Sequence, residues 1–292
     1  MQNIIFQIDG GIGKSIMATA VCEAIKKQYP KDQLIVITSY PEVFLCNPHV
    51  DKCLSHNNLS YFYQDYIEGK KVKAFLHNPY METSHIQQEC HLIKTWCDMF
   101  GVEYNGEEPK LYLTNREINF YSNQFQSDKP LMVIQTNGGG ADQQIKYSWM
   151  RDIPQSVAQE VVDSFIEEYN VIHIRREDQL ALNNTTPVTA DFRALVVLLQ
   201  LSSKRLLIDS FAQHTAKALG LDSVVCWIGN NPSVFGYENN TNIQANKETA
   251  TPELKQAVFA KYNIAGNLLE FPYNDEKEIF NVQDIIEAVK AL

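Results

Sequence analysis

The chain has 292 residues, enough for two domains with their own cores, and a formal net charge of −10. That charge argues against a nucleic-acid surface, which relies on clustered Lys and Arg, and no apolar run approaches the roughly 20 residues that cross a bilayer. With 45% hydrophobic and 21% charged residues the composition is that of a globular protein, and because Met1 leads directly into a strand rather than a signal peptide, the expected compartment is the cytoplasm.

The first element is the strand "NIIFQI", which feeds the turn "DGGIGKS" and a helix whose Ile16, Met17, Ala20, Val21, Ala24 and Ile25 form one apolar stripe. A nucleotide P-loop of the form G-x-x-x-x-G-K-[ST] would need glycine at position 8, which is Ile8. The K-G-G-x-G-K-[ST] variant would need lysine at position 9, which is Asp9, and an acidic side chain at the loop mouth repels polyphosphate. The motif by itself leaves a phosphate loop and a plain glycine turn both open. "QLIVIT", "YPEVFLCNP" and "VKAFLHNP" follow, and "SHIQQECHLIKTWCDMFG" reads as one helix starting near Ser84. In such a helix more than three turns separate His85 from Cys97, too far for one metal to hold both with Cys90 and His91. None of the six cysteines forms a C-x-x-C pair, and Cys22 and Cys226 read as small core residues in a reducing compartment.

After the polar stretch "SNQFQSDKP" the strand–helix rhythm begins again with "PLMVIQTNG", "SVAQEVVDSFIEEY", "NVIHIRR", "DFRALVVLLQLS", "RLLIDS", "FAQHTAKALG" and "SVVCWIG". Repeated βαβ units imply parallel sheets covered by helices. The predicted architecture is therefore α/β, with two Rossmann-like domains facing a cleft: 1–125, 126–280, and a C-terminal helix over 281–292. That helix, with Val282, Ile285, Ile286 and Val289 at helical spacing, is predicted to pack back toward the first domain.

Ligands of open α/β sheets sit at the carboxyl ends of the strands. There "RLLID" delivers Asp209 and Ser210 to a helix start, where they either bind a pyrophosphate together with free backbone N–H groups or simply cap the helix. His214 follows Ser210 by about one turn, as a site residue or an ordinary core histidine. Thr136 ends the first strand of this half and is either a cleft residue or a turn residue.

"IDSFAQHTAKALG" followed by "WIGNNPSVFGY" resembles the donor-site signature of the heptosyltransferases of glycosyltransferase family 9. In that family a strand ends in Asp-Ser/Thr-Gly, a histidine follows on the helix, and Gly-x-x-x-Pro comes after the next strand. Asp209, Ser210, His214 and Gly229 align with it, while Phe211 stands where glycine is usual and Pro232 comes one place early. "GGIGKSIMATAVCEAIKKQYPKDQLIVITS" and "VFLCNPHVDKCL" resemble the family's opening and third-strand regions. "IKYSWMRDIP" is similar to its Lys-x-Trp-Pro region through Lys146, with Trp149 one residue late and Pro154 displaced. "VIHIRREDQ" corresponds to the strand whose following acidic residue, here Glu177, contacts the donor ribose. The resemblance runs in order over nearly the whole chain.

What it implies is a glycosyltransferase-B (GT-B) fold and an inverting, metal-independent transfer of a heptose or related sugar from a nucleotide-diphosphate donor to a glycan or lipopolysaccharide-type acceptor. No cofactor is implied beyond the nucleotide sugar, and a glycolipid acceptor leaves room for peripheral membrane contact. No Asp-x-Asp metal triplet occurs in the sequence, so Lys146, His214 and the helix-start N–H groups are expected to stabilise the leaving diphosphate. The family places an aspartate base after the first-turn glycine, where this chain has Lys14. A protonated lysine is no base, though it can attract a phosphate or carboxylate of the acceptor. Asp9 is the nearest carboxylate and the expected substitute. Two other functions compete: a catalytically silent nucleotide-sugar-binding or glycan-binding protein, and a P-loop ATPase using Gly13-Lys14-Ser15 with magnesium-dependent ATP binding.

Overall fold

In the computed structural model, which describes residues 2–138, 151–250 and 273–292, the apolar runs form two parallel sheets. In the first, β1 (Asn3–Ile8) lies between β2 (Gln33–Thr38) and β4 (Val72–Phe75), with β3 (Lys52–Ser55) outside β2, an order of β3-β2-β1-β4. A central strand covered on both faces has to be apolar throughout, and Ile4, Ile5, Phe6 and Ile8 are all buried. On one face the Phe6 ring meets Trp96 edge-on at 5.3 Å and Phe100 at 5.5 Å, and Phe100 stacks on Phe75 at 4.4 Å. On the other, Ile5, Ile35 and Ile37 pack with Leu54, Phe62, Tyr66, Ile67 and Val72. The long helix α1 (Ile12–Gln28) joins β1 to β2, and the single turn α2 (Phe62–Tyr66) precedes β4.

The stretch read as one helix from Ser84 is two, α3 (Thr83–Ile86) and α4 (Leu92–Phe100). Between them Gln88 adopts φ 56°, a left-handed conformation that a continuing helix cannot accommodate. His91 then caps α4, its Nδ1 accepting from the Ile93 N–H at 3.3 Å. A ring nitrogen substitutes there for the usual Ser or Asp oxygen, which is why the boundary was illegible.

The second sheet has the order β10-β9-β8-β5-β6-β7, from β5 (Leu131–Ile134), β6 (Asn170–Ile174), β7 (Thr186–Val188), β8 (Lys204–Ile208), β9 (Ser223–Trp227) and β10 (Asn240–Gln244). All its pairings are parallel. Pro187 lies in β7, whose one neighbour among the described residues is β6, consistent with the confinement of proline to sheet edges. The covering helices include α6 (Gln155–Asp163), α7 (Phe192–Leu201), capped by Asp191 through the Ala194 N–H at 2.9 Å, and α8 (Phe211–Ala218).

The chain divides into two units, residues 1–85 with 89–114, and residues 86–88 with 115–292. Helix α5 (Asn115–Ser122), which the polar linker reading left in the N-terminal half, belongs to the second unit. Its Glu117 accepts from Arg193 Nε of α7 at 2.8 Å, a largely buried ion pair. The C-terminal helix Val282–Ala291 corrects a second expectation. Rather than turning back toward the first domain, its Ile285, Ile286 and Val289 lie in the second unit's core with Val157, Val161, Leu206 and Val224. The stripe was legible, but a stripe does not name its partner. Among the described residues no helix is long and apolar enough to cross a membrane.

Phe6 fills the centre of the first core. Phe6→Ala is expected to lower unfolding free energy by about 3–5 kcal/mol, read from a shifted urea midpoint at unchanged slope.

Candidate functional site

Both sheets change direction at one point. In the second, the chain runs outward through β5, β6 and β7, then returns to place β8 on the other side of β5. The switch point therefore lies between the ends of β5 and β8, where helices diverge and leave a crevice. Asp209 and Ser210 leave β8 there, and Gln135 and Thr136 leave β5. Gln135 Nε2 spans the point, donating to Ser210 Oγ at 3.3 Å and to the Asn137 carbonyl at 3.2 Å. Ser210 holds the N-cap position of α8 with extended backbone, yet its hydroxyl makes no cap hydrogen bond. Asp209 is only 8% exposed and accepts from Asn230 Nδ2. Burial raises its pKa, outweighing the nearby Arg151 guanidinium and the hydrogen bonds from Asn230 and Gln213.

His214 is buried on α8, with Nδ1 2.8 Å from the Tyr237 hydroxyl and the two rings edge-to-face at 5.7 Å. Its neighbour Gln213 donates to the Phe235 carbonyl at 3.0 Å and accepts from Asn240 at 3.3 Å. These contacts anchor α8 to the segment that follows the β9 strand. Gly229 lies in that segment, half-buried, just before α9 (Pro232–Phe235), which Asn231 caps through the Ser233 N–H at 3.0 Å. Gly236 closes it tightly, since a Cβ there would stand 2.7 Å from the Pro232 carbonyl oxygen.

Thr136 belongs to a buried polar chain. It donates to Asn137 Oδ1 at 2.8 Å, so toward His173 Nε2, 2.9 Å away, its oxygen is the acceptor and Nε2 carries the proton. Asn137 Nδ2 donates in turn to Asp152 Oδ2 at 3.1 Å, and the Gly138 N–H to Oδ1 at 2.9 Å. Glu177 is exposed on the loop after β6. That loop is shaped by Arg175, which donates to the carbonyls of Arg176 at 2.9 Å and Glu177 at 3.1 Å, and to that of Gln179. Gln179 ties it to the Gly138 carbonyl at 3.3 Å. Lys146 lies outside the described residues.

The first sheet repeats the plan. Its switch point lies between β1 and β4, and the bridge across it is Lys14, whose Nζ donates to Asn78 Oδ1 at 2.8 Å. The ammonium also sits 4.7 Å from the Tyr80 ring centre and 5.2 Å from that of Trp96. Lys14 is 5% exposed, and burial lowers its pKa from the ordinary 10.5 to about 8, with Asp9 pulling the other way. It is thus turned into the fold, beneath a glycine turn in which Gly10 takes φ 101°. Asp9 stands at the turn's mouth with its side chain 53% exposed. Its Oδ1 accepts from Gln7 Nε2 at 3.0 Å and faces His56 Nε2 at 3.5 Å.

Sequence reasoning passed over His56, Asn78, Arg151, His173 and Asn230. His173, a polar residue inside an apolar strand, was a visible signal. The others act through chain segments distant in sequence and left none.

The two-sheet parallel architecture is that of the GT-B glycosyltransferases. No protein-family model matches the sequence, and no curated protein does, but solved structures do. The ADP-heptose lipopolysaccharide heptosyltransferase II of E. coli matches 100% of this chain over 98% of its own, with TM-score 0.68 and 11% identity. The glycosyl transferase family 9 protein of Veillonella parvula matches 99% over 96% of its own, at 0.69 and 14%. E. coli heptosyltransferase WaaC with ADP matches 84% over 94% of its own, at 0.57 and 7%.

Burial lowers the His173 pKa from 6.5 to about 4, helped by Arg175. Between those values the unfolded chain binds the extra proton, so this contribution is fully present above pH 6.5 and is lost as pH falls toward 4. Asp209, with its raised pKa, contributes in the opposite sense. Comparing wild type with His173→Gln cancels the Asp209 term, and denaturant titrations should show the stability of wild type relative to the variant rising from pH 4.5 to pH 7.

Proposed function

We propose that the protein is an inverting glycosyltransferase that moves a heptose or related sugar from a nucleoside-diphosphate donor to a glycan or glycolipid acceptor. The observation that carries this reading is the arrangement at the second switch point. There Asp209 and Ser210 precede a helix whose N-terminal N–H groups the serine hydroxyl leaves uncapped, in a chain similar over its whole length to an ADP-heptose heptosyltransferase. Such a helix start suits a diphosphate, because the aligned backbone dipoles favour negative charge.

In this reading the donor diphosphate lies against the start of α8 beside Ser210, with Gly229 in the adjoining bend and Lys146 and Arg151 as cations. Arg151 already acts on buried Asp209 through its charge. Thr136 lies on the same strand-end surface, Glu177 faces the ribose, and His214, through Tyr237, holds α8 in place rather than touching phosphate. On the first unit, Asp9 takes the acceptor hydroxyl's proton as that oxygen attacks the anomeric carbon. The bond from that carbon to the diphosphate oxygen breaks, its electron pair leaves with the diphosphate, and the configuration inverts. Lys14 supports the turn and favours an acceptor bearing an anionic group near it. Charge on the leaving group is met by protein cations and N–H groups, and the reaction requires no metal.

Calorimetric titration with ADP and UDP, with and without EDTA, tests the donor half. Binding should survive the chelator, and Lys146→Ala should weaken it by about 1.5–3 kcal/mol, the worth of a charge-assisted hydrogen bond. Asp9→Asn should abolish transfer while leaving nucleotide affinity unchanged. Nucleotide binding without transfer in wild type would favour a silent binding protein, and binding of ATP that depends on magnesium would favour an ATPase.

A further inference from the structure

Asp9 follows β1 on a turn flanked by two glycines, a poor place to hold a carboxylate still. Two side chains nonetheless converge on the same oxygen. Gln7 lies two residues earlier, and strand alternation puts it on the same face as Asp9; its Nε2 reaches Oδ1 at 3.0 Å. His56 comes from the far side of the sheet. Its backbone N–H donates to the Thr38 carbonyl at 3.1 Å, continuing the β2–β3 ladder one residue past the strand. From there the ring, with its side chain 25% exposed, reaches across the end of β2 to Asp9.

The neighbours of His56 Nε2 settle its proton. It lies 3.5 Å from Asp9 Oδ1 and 3.4 Å from the Ile8 carbonyl oxygen. Both are acceptors, which favours the tautomer with hydrogen on Nε2. The carboxylate thus faces the His56 ring from the end of β3 and interacts with the Lys14 ammonium of α1. Oδ1 is thus approached from two sides, and among the described residues no hydrogen bond reaches Oδ2.

We propose that His56, assisted by Gln7, is a positioning residue that fixes the Asp9 carboxylate with Oδ2 presented to the acceptor hydroxyl. This rests on Asp9 being the base of a sugar transfer. A general base has to stand within about 2.6–3.2 Å of the proton it takes, and a misplacement of about 1 Å costs on the order of 100-fold in rate. The role is conformational, so it belongs to the turnover step and not to donor affinity.

The experiment compares His56→Ala, His56→Gln and Asp9→Asn in the full-length chain, with thermal unfolding recorded for each. His56→Ala should lower kcat about 10- to 100-fold at unchanged donor KM. His56→Gln should restore most of it, because the amide Nε2–H can stand where the imidazole Nε2–H stood. In the Asp9→Asn background His56→Ala should have no further effect. Independently of turnover, long-range 1H–15N NMR should show His56 protonated at Nε2, with that preference weakened in Asp9→Ala. Wild-type kcat in His56→Ala while Asp9→Asn is inactive would overturn this inference and leave the proposed function standing. So would a His56 ring protonated at Nδ1 alone. Undiminished transfer by Asp9→Asn, or no transfer by wild type, would overturn the proposed function and this inference with it.

Discussion

Every strand pairing in both sheets is parallel, and the rest of the molecule follows from that constraint. Parallel strands present all their carboxyl ends along one edge, and each chain reversal has to be covered by a helix or loop. Where the winding changes direction, two neighbouring strand ends have no connection arching between them. A polar side chain bridges that gap in each unit. In the second unit it is Gln135 reaching to Ser210, and in the first it is Lys14 reaching to Asn78. Gaps of this kind are where open α/β sheets take their ligands.

The two gaps carry opposite electrostatic characters. The first holds a buried cation walled by aromatic rings, with a carboxylate at its mouth. The second holds a buried acid, a guanidinium near it, and a neutral histidine whose donor leads through Thr136 and Asn137 to Asp152. Hydrogen bonds in sequence polarise one another and fix side-chain orientation. The chain from His173 to Asp152 thereby fixes the orientation of Thr136 and Asn137 between its two ends.

What could be read from the amino-acid order was what depends on local pattern. The alternation of strands and helices, the glycine turn after Ile8 and the strand-end placement of Asp209 and Ser210 all rest on neighbours in sequence. Boundaries that depend on capping were less legible. His91 caps a helix with a ring nitrogen, and Gln88 breaks one without glycine or proline. The partner of the C-terminal helix was not legible, because apolar stripes are interchangeable in chemistry and differ only in the surface they meet. Nor was the inward course of Lys14, since "GKS" says nothing of Asn78, Tyr80 or Trp96 arriving from more than sixty residues away.

The seat of Lys14 also has a mechanical meaning. Its ammonium fastens the glycine turn to the loop after β4 through Asn78, and that asparagine oxygen simultaneously accepts the Tyr80 N–H at 3.1 Å. Separating the two loops would strand a positive charge in a low-dielectric setting, a cost that a weaker contact would not impose. Turn and loop therefore travel together or not at all. If this edge takes the acceptor as proposed, the acceptor meets one joined rim, and an adjustment of either loop is passed to the other through Asn78.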